Sequence, residues 1–140
     1  MEFNDALEFV TGRHQGVLTT IRASGRPQLS NIAYAAGDDG LIRISVTDTR
    51  AKTKNLRRDP RASLYVVGDT FWAYAVVEAE AELTSVTTDP HDATAEELVA
   101  VYRQVQGEHP DWEEYRRAMV DQARLVVRLR PERAYGMLGG

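Results

Sequence analysis

The feature that most constrains the fold is the alternation within residues 72–83, where small apolar residues alternate with glutamates. Val77 and Ala79 point to one side of an extended chain there, while Glu78 and Glu80 point to the other. A strand with one apolar and one charged side is typical of an antiparallel sheet that has one face on the core. The sequence therefore predicts an antiparallel sheet or barrel.

Five further runs have the β-branched or alternating composition of strands. They are Gly16–Ile21, Gln28–Ala35, Leu41–Thr47, Ala62–Val67 and Arg124–Arg130. A Gly-Asp-Asp-Gly turn predicts that the strand before residue 37 pairs antiparallel with the strand after residue 40. Six antiparallel strands bury their apolar sides most easily by curling into a barrel. We therefore predict a mostly β fold, with helices, in a single domain spanning residues 1–140.

Four predicted helices are marked by capping residues at their starts. The caps are Asn4, Asp48 or Thr49, Thr94 with Glu97, and Asp111 with Glu114. Proline and glycine mark the predicted ends: Gly12 ends the first helix, Pro60 ends the second, and Pro131 ends the last strand. These signals predict one short helix between strands and a two-helix insertion before the last strand.

The second helix carries an unusual concentration of positive charge. Residues 50–61 contain six of the seventeen basic residues and one acid, in a chain whose formal net charge is −4. The predicted cap places Arg50, Lys52 and Thr53 in the first helical turn, where free N–H groups and the helix dipole favour an anion. Either this turn binds a phosphate or the stretch is a solvated basic helix.

Composition excludes several other classes of protein. The absence of cysteine rules out disulfides, thiolate metal sites and a cysteine nucleophile. No run approaches the roughly 20 apolar residues of a membrane span. The acidic N-terminus lacks the pattern of a signal peptide, so a cytoplasmic protein is expected. A pI near 5.4 argues against a dedicated nucleic-acid binder.

Two groups of side chains in the strands are unusual. Gln28, Ser30 and Asn31 place polar groups where strands rarely have them, which indicates either an exposed face or a partner. Trp72 and Tyr74 share the charged side of their predicted strand. Aromatic side chains on such a face indicate a partner surface or a planar ligand.

The chain contains no recognisable catalytic set. The three histidines, His14, His91 and His109, have no metal-binding spacing, so no metal site is predicted. The motifs of serine nucleophiles, P-loops and dinucleotide folds are also missing from the sequence. If the protein is an enzyme, its chemistry belongs to a bound cofactor.

Several segments together resemble a known family. They are Gly16–Ile21, Gly25–Asn31, Arg50–Ser63, Trp72–Tyr74 with Glu78, and Gly107–Arg116. This pattern is similar to the pyridoxamine 5′-phosphate oxidase-like, FMN-binding split β-barrel superfamily. It most resembles the actinobacterial branch that binds the deazaflavin coenzyme F420. The resemblance implies a six-stranded antiparallel split barrel, and its most specific part is the basic stretch.

The resemblance also implies a homodimer with cofactor sites at the interface. Arg50 and Lys52 match the family's phosphate-binding pair, with Thr53 beside them. Ser45 and Val46 match positions whose backbone faces the flavin. The polar strand, Gln28, Ser30 and Asn31, matches the strand under the ring system, and Trp72 and Tyr74 match positions that reach the site from the other subunit.

The implied function is hydride transfer between reduced F420 and an electron-poor small molecule. An FMN-dependent enzyme of the same superfamily and a cofactor-binding protein without turnover remain alternatives. The basic residues beyond the pair, Lys54, Arg57, Arg58 and Arg61, suit the acidic tail of F420. Ala73 and Tyr74 replace the Arg-Gln pair of the true pyridoxamine-phosphate oxidases, which argues against pyridoxal-phosphate synthesis. A haem-binding function is disfavoured because no histidine is suitably placed.

Overall fold

Over residues 1–139 the chain forms one strongly curled antiparallel sheet with four helices. The structure is a computed structural model that describes residues 1–139. In chain order its elements are α1 (Phe3–Thr11), β1 (Gln15–Ile21), β2 (Pro27–Ala33), β3 (Ala35–Ala36), β4 (Ile42–Thr47), α2 (Ala51–Arg58), β5 (Arg61–Val67), β6 (Tyr74–Leu83), α3 (Ala93–Gln106), α4 (Trp112–Asp121) and β7 (Arg124–Met137). The strand order across the sheet is β2-β1-β5-β6-β7-β4-β3.

The sheet curls because its two edge strands are neighbours in sequence. β2 and β3 lie at opposite ends of the strand order, yet only Tyr34 separates them along the chain. The Tyr34 side chain is fully buried, and its hydroxyl donates a 2.6 Å hydrogen bond to the carbonyl of Val10. Its N–H donates to the carbonyl of His14 at 2.8 Å. One anchored residue thus brings the two edges together and produces an incompletely closed barrel.

The structure corrects the predicted strand count from six to seven. The predicted strand Gln28–Ala35 is divided at Tyr34 into β2, which pairs with β1, and β3, which pairs with β4. The buried tyrosine turns the chain from one edge of the sheet to the other, and a single strand cannot pair on both. The predicted hairpin is confirmed by the pairing of Ala36 with Ile42.

The helices cover two different surfaces of the sheet. α1 packs its buried Ala6 and Val10 against the apolar interior of the barrel. α3 and α4 pack on the outer face, where Leu98, Tyr115 and Met119 surround Val126 of β7. Within residues 1–139, no helix is sufficiently long and apolar to traverse a membrane.

Three of the four predicted helix caps are wrong. Glu2 and Arg50 occupy the N-cap positions of α1 and α2, and neither makes a side-chain cap hydrogen bond. The N-cap of α3 is Asp92, which accepts from Ala95 N at 2.8 Å, because Thr94 instead donates to the carbonyl of Ser85. The fourth prediction is confirmed, since the Asp111 side chain accepts from the N–H of Glu114.

The long strands also begin and end differently from the prediction. β6 begins at Tyr74, because Trp72 belongs to the preceding turn. β7 continues through Pro131 to Met137. The register between β6 and β7 shifts at Glu78 and Ala79, opposite this proline. A bulge tolerates proline because the ladder is locally interrupted there, so Pro131 does not end the strand.

Candidate functional site

A cleft lies where the barrel is split. β4 pairs with β7 on one side, and on its other side only its first two residues pair with β3. Between the rest of β4 and the free edge of β2 lies a cavity of about 420 Å³. We call this cavity the cleft. The side chains that line it include Asn31, Ile32 and Ala33 of β2, Ser45 of β4, Lys52 of α2, Tyr102 and Val105 of α3, Tyr115 and Met119 of α4, and Arg124.

Three basic side chains converge at the α2 end of the cleft. Burial, followed by the nearby charges of Arg50 and Arg124, lowers the pKa of Lys52. Lys52 and Arg124 line the same cleft, and Arg50 is the N-cap of the helix that carries Lys52, so the three cations lie close together. Among residues 1–139, no carboxylate comes within 4.0 Å of any of the three basic groups. Arg50, Lys52 and Arg124, hereafter the cation cluster, can therefore receive an anion.

Arg124 was not among the residues predicted for the site. This residue begins β7 and pairs in register with Thr47, which places it beside the start of α2. Its guanidinium donates 3.4 Å hydrogen bonds to the carbonyl and the hydroxyl of Ser45. In the sequence Arg124 resembles an ordinary polar residue at a strand end. Arg124 reaches the site because β7 pairs with β4, which places it opposite Thr47, seventy-seven positions earlier in the chain.

The start of α2 differs from its predicted arrangement. Arg50 is the N-cap and has extended backbone angles, so it precedes the first turn. Thr53 is fully buried, and its hydroxyl donates to the carbonyl of Thr47 at 2.8 Å. This bond fixes the helix start to the end of β4 and removes the Thr53 hydroxyl from the cleft. Because no side chain caps α2, the first-turn N–H groups are not occupied by a cap.

The polar residues of β2 divide between the two faces of the strand. Gln28 and Ser30 lie on the inner face, where the Gln28 side-chain oxygen accepts from Asn55 of α2 at 3.4 Å. Asn55 also donates to Thr20 at 3.1 Å, so this polar group attaches α2 to the barrel. Of the three predicted residues, only Asn31 lines the cleft.

Ser45 and Val46 occupy contrasting positions on β4. The N–H and C=O of Val126, which pairs with Ser45, are directed at Thr84 on the far side of β7. In an antiparallel ladder, the backbone of Ser45 must then face away from β7, toward the cleft. Val46, one residue later, faces β7 with its backbone and is buried in the core. Ser45 is thus available to a ligand, and Val46 is not.

Trp72 and Tyr74 lie outside the cleft of their own chain. Tyr74 stacks on Tyr65 of β5 with ring centroids 5.6 Å apart, on the outer face of the sheet. Trp72 is 70% exposed and makes an edge-on contact with Phe71 at 5.0 Å. The structure thus brings Asn31, Ser45 and Lys52 to the cleft, with Arg50 at the start of the adjoining helix, and leaves the two aromatic residues apart from them.

The aromatic roof of the cleft was not predicted as part of the site. Tyr102, His109, Trp112 and Tyr115 form one cluster with ring centroids 4.9 to 5.7 Å apart. The Tyr115 hydroxyl donates to the carbonyl of Leu98 at 3.1 Å, and burial raises the pKa of Tyr115 to about 12. These rings give the cleft a rigid, largely apolar cover.

Two polar side chains of α3, the helix that carries Tyr102 of the roof, attach this helix to the barrel. Glu97 of α3 accepts hydrogen bonds from Arg43 at 2.9 Å and from Arg128 at 2.6 Å. The Gln104 side chain donates to the carbonyl of Ala36 in β3 at 2.6 Å. α3 is therefore fixed over the cleft at both the sheet face and the sheet edge.

Comparison with known proteins agrees with this architecture. A family model described as pyridoxamine 5′-phosphate oxidase matches residues 4–138. A conserved hypothetical protein from Mycobacterium tuberculosis superposes with a TM-score of 0.67 at 28% identity, covering 100% of this chain and 93% of that chain. An F420 reductase gives a TM-score of 0.68 at 22% identity over 91% and 94%. A heme storage protein from Vibrio cholerae gives 0.68 at 18% identity over 96% and 93%.

Proposed function

This chain belongs to the pyridoxamine 5′-phosphate oxidase family, and we propose that it is an oxidoreductase that uses coenzyme F420. The observation that carries the proposal is the cation cluster, whose three basic groups have no carboxylate partner among residues 1–139. Two of them, Lys52 and Arg124, line a cleft of about 420 Å³. A cluster of like charges is unfavourable in the free protein, so its presence is best explained by an anionic ligand.

The donor set of the cleft fits a cofactor with a phosphate and a planar ring. Lys52 and the guanidinium groups of Arg50 and Arg124 suit a phosphate, which accepts several charge-assisted hydrogen bonds. Ser45 and Asn31 offer polar groups along the edges of the two strands. Tyr102 and Met119 supply an apolar cover, as a planar ring requires.

The bound deazaflavin would supply the hydride that reduces an electron-poor acceptor. The protein's own residues would bind the phosphate, orient the ring against β2 and keep water from the reacting face. Orientation and exclusion of water are the contributions a protein makes to chemistry that resides in a cofactor. The fixed position of α3 supports this role, because Glu97 and Gln104 hold the roof in place.

The acidic tail of F420 has fewer free basic partners than the sequence suggests. Arg57 pairs with Asp48 at 2.6 Å, Arg61 pairs with Asp59 at 2.8 Å, and Arg58 bonds the carbonyl of Ile21. Exposed ion pairs of this kind contribute only about 0–1 kcal/mol, so a glutamate tail could displace the acids at little energetic cost. FMN remains the second candidate cofactor, because the cation cluster alone suffices for its phosphate.

A homodimer is part of the proposal. The outer face of the sheet beyond the helices presents apolar and aromatic side chains to solvent: Val17, Leu29, Tyr65, Val67, Tyr74, Tyr135 and Met137. Leu29, Tyr135 and Met137 are each more than half exposed. A continuous group of seven exposed or partly exposed apolar and aromatic side chains is typical of a protein interface. Asn31 borders both this face and the cleft, so a second subunit seated here would adjoin the cofactor site. We propose that its Trp72 and Tyr74 reach that site.

Parallel titrations with F420 and FMN test the proposed function. Trp112 contacts two of the ring systems that line the cleft, so its fluorescence should report binding there. We expect F420 to bind more tightly than FMN at low salt, and the bound F420 to reduce electron-poor acceptors. Equal or tighter binding of FMN at moderate salt would replace F420 with FMN, and no binding of either would overturn the proposal.

Sedimentation velocity tests the dimer separately. We expect a sedimenting species of twice the 15.7 kDa chain mass at micromolar concentrations. Tyr135 is 54% exposed on this apolar face, so replacing it with lysine places a charge in the interface and should shift the protein toward the monomer. A wild-type monomer at all of these concentrations would contradict both the dimer and the shared site.

A further inference from the structure

A second cavity adjoins the cleft at the end remote from the cation cluster. This N-terminal cavity has a volume of about 650 Å³ and is lined by Arg13, His14, Gln15, Val67 and Asp69, among others. It shares Ala33, Val105 and Gln106 with the cleft, so the two form one continuous groove. A ligand held in the cleft would therefore have open space beside its far end.

Arg13 is held rigidly at this end of the groove. One of its terminal nitrogens donates to the carbonyl of Phe9 at 3.0 Å, and the guanidinium lies 3.9 Å from the centre of the Phe9 ring. The side chain is only 29% exposed, and its remaining N–H groups can still donate. A guanidinium already fixed in place loses little entropy when it binds a planar anion.

A carboxylate of the chain already contacts this guanidinium weakly. Asp69 approaches Arg13 at 3.5 Å, and its side chain is fully exposed to solvent. Such a pair contributes little to stability and exchanges readily with a competing ligand. The geometry of the free protein thus shows that a carboxylate can reach Arg13 from the groove.

His14 and two glutamines add polar groups to the same cavity. The His14 Nδ1 atom lies 3.2 Å from the carbonyl of Tyr34, and because a carbonyl can only accept, Nδ1 carries the proton in this contact. Nε2 has no partner within residues 1–139. Gln15 and Gln106 line the same cavity with amide groups that can donate to a carboxylate.

We propose that the N-terminal cavity binds the carboxylate of the acceptor substrate and that Arg13 is the residue that recognises it. The inference rests on the proposed function, because it assigns the cation cluster to the cofactor and leaves this end to the acceptor. One guanidinium matches the single charge of a carboxylate, whereas the three cations at the other end match a phosphate. The substrate class is therefore an electron-poor small molecule that carries a carboxylate.

The test compares cinnamate with cinnamamide, two planar electron-poor alkenes that differ in charge at one end. Calorimetric titrations without F420, at a fixed concentration of inorganic phosphate added to compete for the cation cluster, make the result independent of the cofactor. We expect cinnamate to bind wild-type protein about tenfold more tightly than cinnamamide. Arg13→Gln should abolish this preference, and Arg13→Lys should retain part of it.

Two exposed substitutions keep the test valid if Arg13 variants fold poorly. Asp69→Asn removes the competing acid and should tighten cinnamate binding about two- to fivefold. Arg22→Gln removes one positive charge from the hairpin at the opposite end of β1, so it should leave both affinities unchanged. Equal binding of the two probes to wild type, or equal weakening by Arg13→Gln and Arg22→Gln, would overturn the carboxylate site.

Separate F420 titrations distinguish this inference from the proposed function. Arg13→Gln should bind F420 like wild type, and a tenfold weaker affinity would instead place Arg13 in the cofactor site and overturn its role toward substrate. Protein that distinguishes cinnamate from cinnamamide but binds neither F420 nor FMN would refute the cofactor proposal while supporting the carboxylate site.

Discussion

The two ends of the β4–β7 ladder hold similar basic residues in opposite electrostatic states. At one end Arg43 and Arg128 lie side by side, and Glu97 accepts hydrogen bonds from both. At the other end Arg124 lies near Lys52 without an acid partner among residues 1–139. The first group is compensated within the chain, and the second is not compensated by residues 1–139. The difference separates a structural ion pair from a candidate binding site.

A shortage of acids does not explain the uncompensated end. The chain has twenty-one acidic and seventeen basic residues. α3 alone uses two adjacent glutamates to bind arginines, Glu96 with Arg116 at 2.7 Å and Glu97 with Arg128 at 2.6 Å. Clustered cations without acids are unfavourable unless a ligand neutralises them. The cation cluster is therefore accounted for by the proposed anionic ligand and not by the stability of the free protein.

The largest expected effect is that of Lys52→Ala on cofactor affinity. Loss of a charge-assisted hydrogen bond to the phosphate, worth roughly 1.5–3 kcal/mol, should weaken F420 binding about 10- to 150-fold. Fluorescence titration measures this change. The melting temperature of the free protein should not fall, because no carboxylate within residues 1–139 pairs with Lys52, and burial and the nearby cations lower its pKa. Binding equal to that of wild type would mean that the basic stretch attracts anions only diffusely.

The compensated end should show the opposite pattern in Glu97→Gln. This substitution removes the negative charge that Arg43 and Arg128 share, at a site where the three side chains are at most 30% exposed. Asp39 and Glu82 remain as the second partners of Arg43 and Arg128. We expect a loss of about 1.5–3 kcal/mol in the free energy of unfolding, measured with urea. Glu113→Gln is the matched control, because its contact with His91 is exposed and should contribute less than about 1 kcal/mol. Equal losses in both variants would refute the contrast between the two ends.

Acid should destabilise the compensated end selectively. Hydrogen bonding by Arg128 lowers the pKa of Glu97 from its ordinary value of 4.5, and hydrogen bonding by Arg43 lowers that of Asp39 from 3.8 to about 2. Stabilisation by such a carboxylate is complete above its unfolded pKa and is lost as the pH falls through its folded pKa. Wild-type stability should therefore decline below pH 4.5, and Glu97→Gln should show a shallower decline in urea midpoints across that range.

Much of the fold could be predicted because its signals are local. The alternation in residues 72–83 and the glycine-rich turn at 37–40 each reflect the geometry of a few neighbouring residues. The predicted strands correspond to six of the seven observed, and the seventh arises at Tyr34. Its burial against Val10 depends on the complete barrel and not on the residues beside it. The division of the strand therefore had no local signal.

The candidate site was only partly predictable for the same reason. Lys52 and Arg50 stand out because they lie in a dense basic run, whereas Arg124 is isolated in the sequence and reaches them only through the β4–β7 pairing. Thr53 has the residue type expected of a phosphate ligand, yet its hydroxyl is bonded to Thr47 within the fold. Residue type indicated the chemistry, but burial and pairing decide which side chains can reach a ligand.

The smallest expected effect sharpens the comparison within α2 itself. Lys54 is exposed and follows the buried Thr53, so it points away from the cleft lined by Lys52. Lys54→Ala should weaken F420 binding by at most about fivefold, and this loss should shrink in high salt because exposed charges are screened. The loss in Lys52→Ala should largely persist, since a partly buried ion pair is screened much less. Titrations of both variants at two salt concentrations measure the difference. Equal losses that vanish together in high salt would show that the two lysines act alike, and the cation cluster would then have no special role.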